Sequence, residues 1–357
     1  MLHASLTEST LRTVDPMFGH SSNAWYARPF LTISLMCLLV VGLAGSFGAA
    51  HASEPRKGPL AGVRSWGYQL QNLDLAHLAR SPHDLLVIDF SRGGGGRDEA
   101  LTANEITRLK ARPGQPDRIV LAYLSIGEAE VYRDYWRWYW GGRWYTRPFG
   151  WFLAPSWLGA ENPEWRGNFA VRYWDDSWQR LILGSGPGAN DGYLDTILAA
   201  GFDGVYLDKV DASVEAIARG RPSGQVDMRT LVRRIAEKGR AKRPGFLVVP
   251  QNGEELLGDE PFVALIDGLA KEDLLYGEFK EKKANPERAV TRRLGFMAPL
   301  TVQGKTVLAV EYLDDVQHIA AARQRLEGFG YVPTFADRAL KTLRHGDGPA
   351  TAGAKSR

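Results

Sequence analysis

Gly204-Val205-Tyr206-Leu207-Asp208-Lys209-Val210-Asp211 is the stretch on which the fold turns. Four residues run apolar without a polar alternation, and a carboxylate closes them. Such a run reads as a strand buried on both faces, the kind found in parallel sheets. A helical pattern over Asn190–Ala200, stopped by Gly201, precedes it, and another over Val226–Lys242 follows. Helix, strand and helix in that order describe one turn of an α/β winding.

The same unit recurs outward in both directions. Strands are predicted at Trp66–Leu70, Leu85–Phe90 and Ile119–Ile126 before it, and at Phe246–Pro250, Phe262–Leu269, Thr306–Tyr312 and Gly330–Thr334 after it. Between them, helices are expected over Asp74–Arg80, from Thr102 as N-cap, over Pro286–Leu294 and over Asp315–Leu326. Eight such strands favour closure into a (β/α)8 TIM barrel over an open doubly wound sheet. The predicted fold class is therefore α/β, a single-domain barrel over residues 60–342. A Gly/Ala/Lys-rich tail, 343–357, is expected to be disordered.

One region breaks the rhythm. Nine of the eleven tryptophans fall between Tyr132 and Trp178, read as an insertion after the third strand (132–178). Trp136, Trp138 and Trp140 alternate as a strand would. Flat rings with polar edges also suit sugars, so about half of them are expected to face ligand, and a polymer more than a small metabolite.

In such barrels, chemistry lies at the C-terminal strand ends. Reading what terminates each run gives Tyr68, Asp89, Glu128, Asp208 with Asp211, Asn252, Glu272 and Tyr312. Acids crowded at one rim raise one another's proton affinity, and a protonated acid beside an ionised one is the equipment of glycoside hydrolysis. Asp208 and Glu272 are the candidate catalytic pair. The others are candidate substrate contacts, each weighed against a structural role: Asp89 capping a helix or holding an arginine, Glu128 and Glu130 sitting in a first helical turn. Glu311 and Tyr312 are adjacent, so only one faces the barrel interior, and Tyr312 is the expected rim contact.

Other chemistries lack their residues. The histidines after residue 52 (His77, His83, His318, His345) end no strand, which speaks against a histidine metal site or a Ser-His-Asp triad. Gly304-Lys305-Thr306 precedes a strand and reads as a turn. A formal charge of +3 makes no case for nucleic acid. At the N-terminus, Arg28, the apolar run Phe30–Leu43 and Ala50-His51-Ala52 describe a signal peptide over 1–52, with an uncleaved anchor as the other reading and Met17 as an alternative start. The only cysteine, Cys37, lies within it. A periplasmic or secreted protein without a lasting membrane anchor is expected.

Leu124-Ser125-Ile126-Gly127-Glu128-Ala129-Glu130, Gly204 to Asp211, Pro250-Gln251-Asn252-Gly253 and Lys271-Glu272-Asp273, in that order, resemble the motifs of the endo-α-1,4-polygalactosaminidases, glycoside hydrolase family 114 and its relatives. The resemblance covers about residues 62–340. It implies a (β/α)8 barrel that cleaves galactosamine-type α-1,4 polysaccharide without metal or organic cofactor, most often with retention. Its acids, after strands four and six, fall on Asp208 and Glu272. A polysaccharide is then the expected partner; a non-catalytic exopolysaccharide-binding barrel is the competing reading.

Overall fold

The computed structural model describes residues 56–140, 153–186, 189 and 191–344. The expected signal segment 1–52 and the tail from residue 345 lie outside them. Eight parallel strands form the barrel wall: β1 (Trp66–Gln69), β2 (Leu85–Asp89), β3 (Ile119–Ser125), β7 (Gly204–Asp208), β8 (Leu247–Pro250), β9 (Gly268–Glu272), β10 (Thr306–Glu311) and β11 (Val332–Phe335). They hydrogen-bond as two arcs, β1-β2-β3-β7-β8 and β9-β10-β11. A parallel bridge from Gln251 to Ala270 joins β8 to β9. At the other seam, the Trp66 indole N–H donates to the Val332 carbonyl at 2.9 Å. The protein has an α/β, TIM-barrel-like fold.

Side-chain alternation divides the core in two. Trp66, Tyr68, Leu85, Val87, Leu121, Tyr123, Tyr206 and Val310 fill the interior. The intervening residues, such as Leu86, Val120, Val205 and Val307, face the helices. Those helices are α1 (Leu75–Arg80), α2 (Ala103–Lys110), α4 (Tyr193–Ala200), α5 (Ala212–Ala218), α6 (Gly224–Lys242), α7 (Glu260–Leu265), α8 (Glu287–Val302) and α9 (Val316–Gly328). Local chemistry sets their ends. Asp74 accepts the N–H groups of Ala76 and His77 to start α1. Thr102 and Glu105 form a reciprocal capping box on α2. Gly201 takes φ 84 to end α4.

Three expectations are corrected. Phe262–Leu269 is not one strand: Asp259 accepts from the Phe262 N–H, Pro261 sits in the first turn, and α7 forms before β9 begins at Gly268. Trp136–Trp140 is not a strand but a run of turns. Leu343 and Arg344, assigned to the tail, are buried: Arg344 donates to the Leu313 carbonyl.

The described part of the insertion builds its own antiparallel sheet, β4 (Glu128–Glu130), β5 (Leu158–Glu161) and β6 (Asn168–Val171), in the order β4-β6-β5, followed by α3 (Asp176–Leu183). Trp157 and Trp178 are buried, and Trp136 and Trp140 pack against the same core. The Trp178 indole donates to the Ile126 carbonyl at 2.9 Å, riveting the insertion to the end of β3. Only Trp138 (73% exposed) and Trp165 (47%) stand open among its described tryptophans. The described part of the cluster is therefore mainly a local core, with two exposed rings.

Candidate active site

The site sits where the strands stop. Asp208 and Glu272 are the last residues of β7 and β9, and register places Asp208 beside Ser125 and Glu272 beside Val310. Both belong to the inward-facing set. Beneath them is a floor of aromatic rings: Tyr68 lies 5.1 Å from Tyr206 and 5.9 Å from Trp66, centroid to centroid. Burial and the charges of both carboxylates push the Tyr68 and Tyr206 hydroxyls up, so they stay protonated.

Each acid is held by fixed donors. Asp208 accepts from the Tyr123 hydroxyl at 2.7 Å and from the Lys209 backbone N–H at 2.7 Å. Glu272 accepts from the Asn252 amide at 2.7 Å on one oxygen and from the Tyr312 hydroxyl at 2.9 Å on the other. Burial first, and the charge of Glu272 second, push the Asp208 carboxyl up to about 7, against the pull of the Tyr123 hydroxyl. Asp208 therefore exchanges its proton near neutrality.

Just beyond the ends of β7, β8 and β9 the chain turns through a left-handed residue: Lys209 at φ 59, Asn252 at φ 55 and Asp273 at φ 52. A side chain other than glycine makes that conformation costly, by roughly 1–3 kcal/mol. It is retained where the surroundings over-determine it. Here Asp273 is clamped by Arg338 through two contacts of 2.7 and 2.9 Å, and the Arg338 guanidinium lies 4.1 Å above the Tyr312 ring.

Tyr68 and Tyr312 stand within the site, and Tyr68 donates to Gln251 at 3.2 Å. Asn252 lies at the mouth, where it serves Glu272. Asp211, half-buried at the start of α5, gives its carboxylate to no helix N–H. Burial is the main reason its carboxyl is pushed up to about 6, with Lys209, 3.8 Å away, opposing. Glu311 faces away from the interior, fully buried, and accepts the N–H groups of Leu275 and Tyr276 at 2.8 and 3.1 Å.

Asp89 and Glu128, expected to touch substrate, are each taken up by neighbouring side chains. Asp89 is buried and grips Arg133 through contacts of 3.1 and 2.8 Å, the arginine-holding role. Glu128, also buried, accepts from Asn162 and Asn168 at 2.8 and 3.2 Å and lies 3.4 Å from the Lys209 ammonium. It steadies the segment after Asp208 from behind. Glu130 sits in β4, not in a helical turn, and pairs with Arg133 at 2.8 Å.

Sequence reading missed Tyr123 and Arg133. Tyr123 carried a usable signal: it is two residues before Ser125 and so shares its inward face. Arg133 carried none, because a turn within the insertion brings it back over Asp89.

A TIM-like barrel with two acids over an aromatic floor has the layout of a glycoside hydrolase. Residues 46–351 match the glycoside-hydrolase family GH114. The chain is 36% identical over 294 residues to an uncharacterized protein of Methanocaldococcus jannaschii, covering 78% of this chain and 77% of that one. An uncharacterized protein of Deinococcus radiodurans is 33% identical over 298 residues, with 81% and 85% covered. Among solved structures, the glycoside hydrolase domain of PelA from Pseudomonas aeruginosa superposes with a TM-score of 0.58 at 18% identity, over 80% of this chain and 99% of that one; this likeness concerns the fold. The chain belongs to glycoside-hydrolase family GH114 and is a glycoside hydrolase.

Proposed function

We propose that this glycoside hydrolase cleaves an α-linked, galactosamine-type polysaccharide with retention, using Asp208 and Glu272. The observation that carries the reading is the pair itself: two inward acids ending β7 and β9 over one tyrosine floor, each held by two donors. Asp208 attacks the anomeric carbon while Glu272 protonates the departing glycosidic oxygen, and a covalent glycosyl ester forms. Glu272, now ionised, takes a proton from water, which attacks the ester and frees Asp208. Attack needs Asp208 ionised, and its carboxyl, pushed up to about 7, meets that condition from about neutrality upward.

The substrate assignment rests on the resemblance of the four motifs, and the open Trp138 and Trp165 rings suit a polymer. In this reading Tyr68, Asp211, Asn252 and Tyr312 border the bound sugar. Action outside the cytoplasm, in the periplasm or beyond it, fits the leader-like residues 1–52.

Asp208→Asn and Glu272→Gln should each lower release of reducing ends from de-N-acetylated galactosamine polymer by at least about a thousandfold while circular dichroism stays unchanged. Either variant retaining full activity removes that residue from the mechanism. Polymer retention on the protein with no product from the wild type would favour a binding role for this surface.

A further inference from the structure

A buried ammonium behind the barrel wall has no part in the chemistry above. Lys271 precedes Glu272 on β9, so its side chain faces outward, away from the interior, and only 6% of it is exposed. Lysine is almost never that buried without a partner. Its Nζ donates to the Asn252 side-chain oxygen at 2.9 Å and lies 3.5 Å from the carboxylate of Glu254, itself buried. The same Glu254 oxygen, Oε1, lies 3.0 Å from Arg293.

We infer that Lys271 is a positioning residue that fixes which end of the Asn252 amide meets Glu272. An ammonium has three donors and no acceptor, so it accepts only the oxygen end of an amide as its neighbour. With that oxygen turned to Lys271, the amide nitrogen must point the other way, where it donates to Glu272 at 2.7 Å. The Glu272 backbone N–H, 3.4 Å from the same oxygen, adds a weaker vote for this orientation. Rotated by half a turn, the amide would set an oxygen against the Glu272 carboxylate. The left-handed backbone at Asn252 presents the amide between the two strands, and the buried Glu254 carboxylate, 3.5 Å away, keeps the ammonium from retracting. Glu272 thus receives an aimed donor through a neighbour that never touches the sugar.

The inference rests on Glu272 being a catalytic acid, but half of its test needs no substrate. The Asn252 side-chain amide is identified in 1H–15N spectra by its loss in Asn252→Gly, a change that the left-handed backbone accepts. That resonance should move in Lys271→Met and stay near its place in Lys271→Arg, which keeps a donor. On de-N-acetylated galactosamine oligomers, kcat of Lys271→Met should fall roughly tenfold or more with KM within about twofold, since orientation and not affinity is lost. Lys271→Arg should recover most of the loss. Because Lys271 acts only through Asn252, the double variant Lys271→Met/Asn252→Gly should be no slower than Asn252→Gly alone. An unmoved amide resonance, additive losses in the double variant, or a Lys271→Arg as impaired as Lys271→Met overturns the inference. So does an Asn252→Gly of undiminished kcat, which can be measured even where Lys271→Met does not fold. If the wild type cleaves nothing, the substrate reading fails while the amide signal still decides this one.

Discussion

Tyr123 gives Asp208 a donor that favours its ionised form, and burial gives it an environment that disfavours it. Burial wins, because the carboxyl still ends near 7. Removing the hydroxyl removes the opposing pull. In Tyr123→Phe the acid limb of kcat/KM against pH should move up by about one unit, so activity at pH 6 drops roughly tenfold while activity at pH 9 changes little. An unmoved limb would mean that Tyr123 merely fills space. At this scale the sequence was informative where a residue closes a strand: Asp208, Glu272 and Tyr312 are found by asking what ends each apolar run. It was silent on partners supplied from elsewhere in the chain. Asp89 ends β2 just as Asp208 ends β7, and nothing local says that Arg133, 44 residues away, will neutralise one of them and leave the other open.

Arg133 also sets the bond between insertion and barrel. It is buried to 4% between Asp89 on β2 and Glu130 on β4, with the Phe90 ring 4.9 Å from its guanidinium carbon. Deleting one member of a buried charge cluster leaves the others uncompensated, which costs about 3–5 kcal/mol. Arg133→Met should lose that much in urea unfolding. A loss under about 1 kcal/mol would show that water reaches the two carboxylates. A second contact at this level is Gly127, where an added side-chain carbon would fall 2.2 Å from the Lys209 carbonyl. Gly127→Ala should therefore push apart the ends of β3 and β7 and depress activity more than stability. Elements were legible where length or end signals discriminated. The long helix α6 and the strand β7 were read almost as they stand. Phe262 to Leu269 is equally apolar as helix or strand, and periodicity alone cannot divide it. The decisive marks were Asp259 and Pro261, a cap and a first-turn proline.

Across the whole molecule, ionising the site weighs on folding. Asp208 has a reference value of 3.8 and is raised to about 7 in the folded protein. The folded state therefore holds a proton between about pH 4 and 7 that the unfolded chain has released. Stability contributed by this group is complete below pH 4 and is lost as pH rises through 7. Asp208→Asn carries no such penalty. It should melt higher than the wild type at pH 8, with the gap closing toward pH 4. Equal melting points at pH 8 would contradict the burial argument. The barrel itself was legible because its eight apolar runs repeat with helices between them. The insertion was legible only as an interruption, since tryptophans that build a small core and tryptophans that meet sugar look alike in one dimension.

The left-handed turns at Lys209, Asn252 and Asp273 bear on how this scaffold tolerates change. Each makes the backbone leave the wall at once, so what lies downstream is anchored after the corner. Lengthening, trimming or exchanging those excursions remodels the walls of the cleft while leaving the acids' coordinates untouched. Grafting of foreign segments belongs beyond these corners, and the corners themselves are the residues to leave alone.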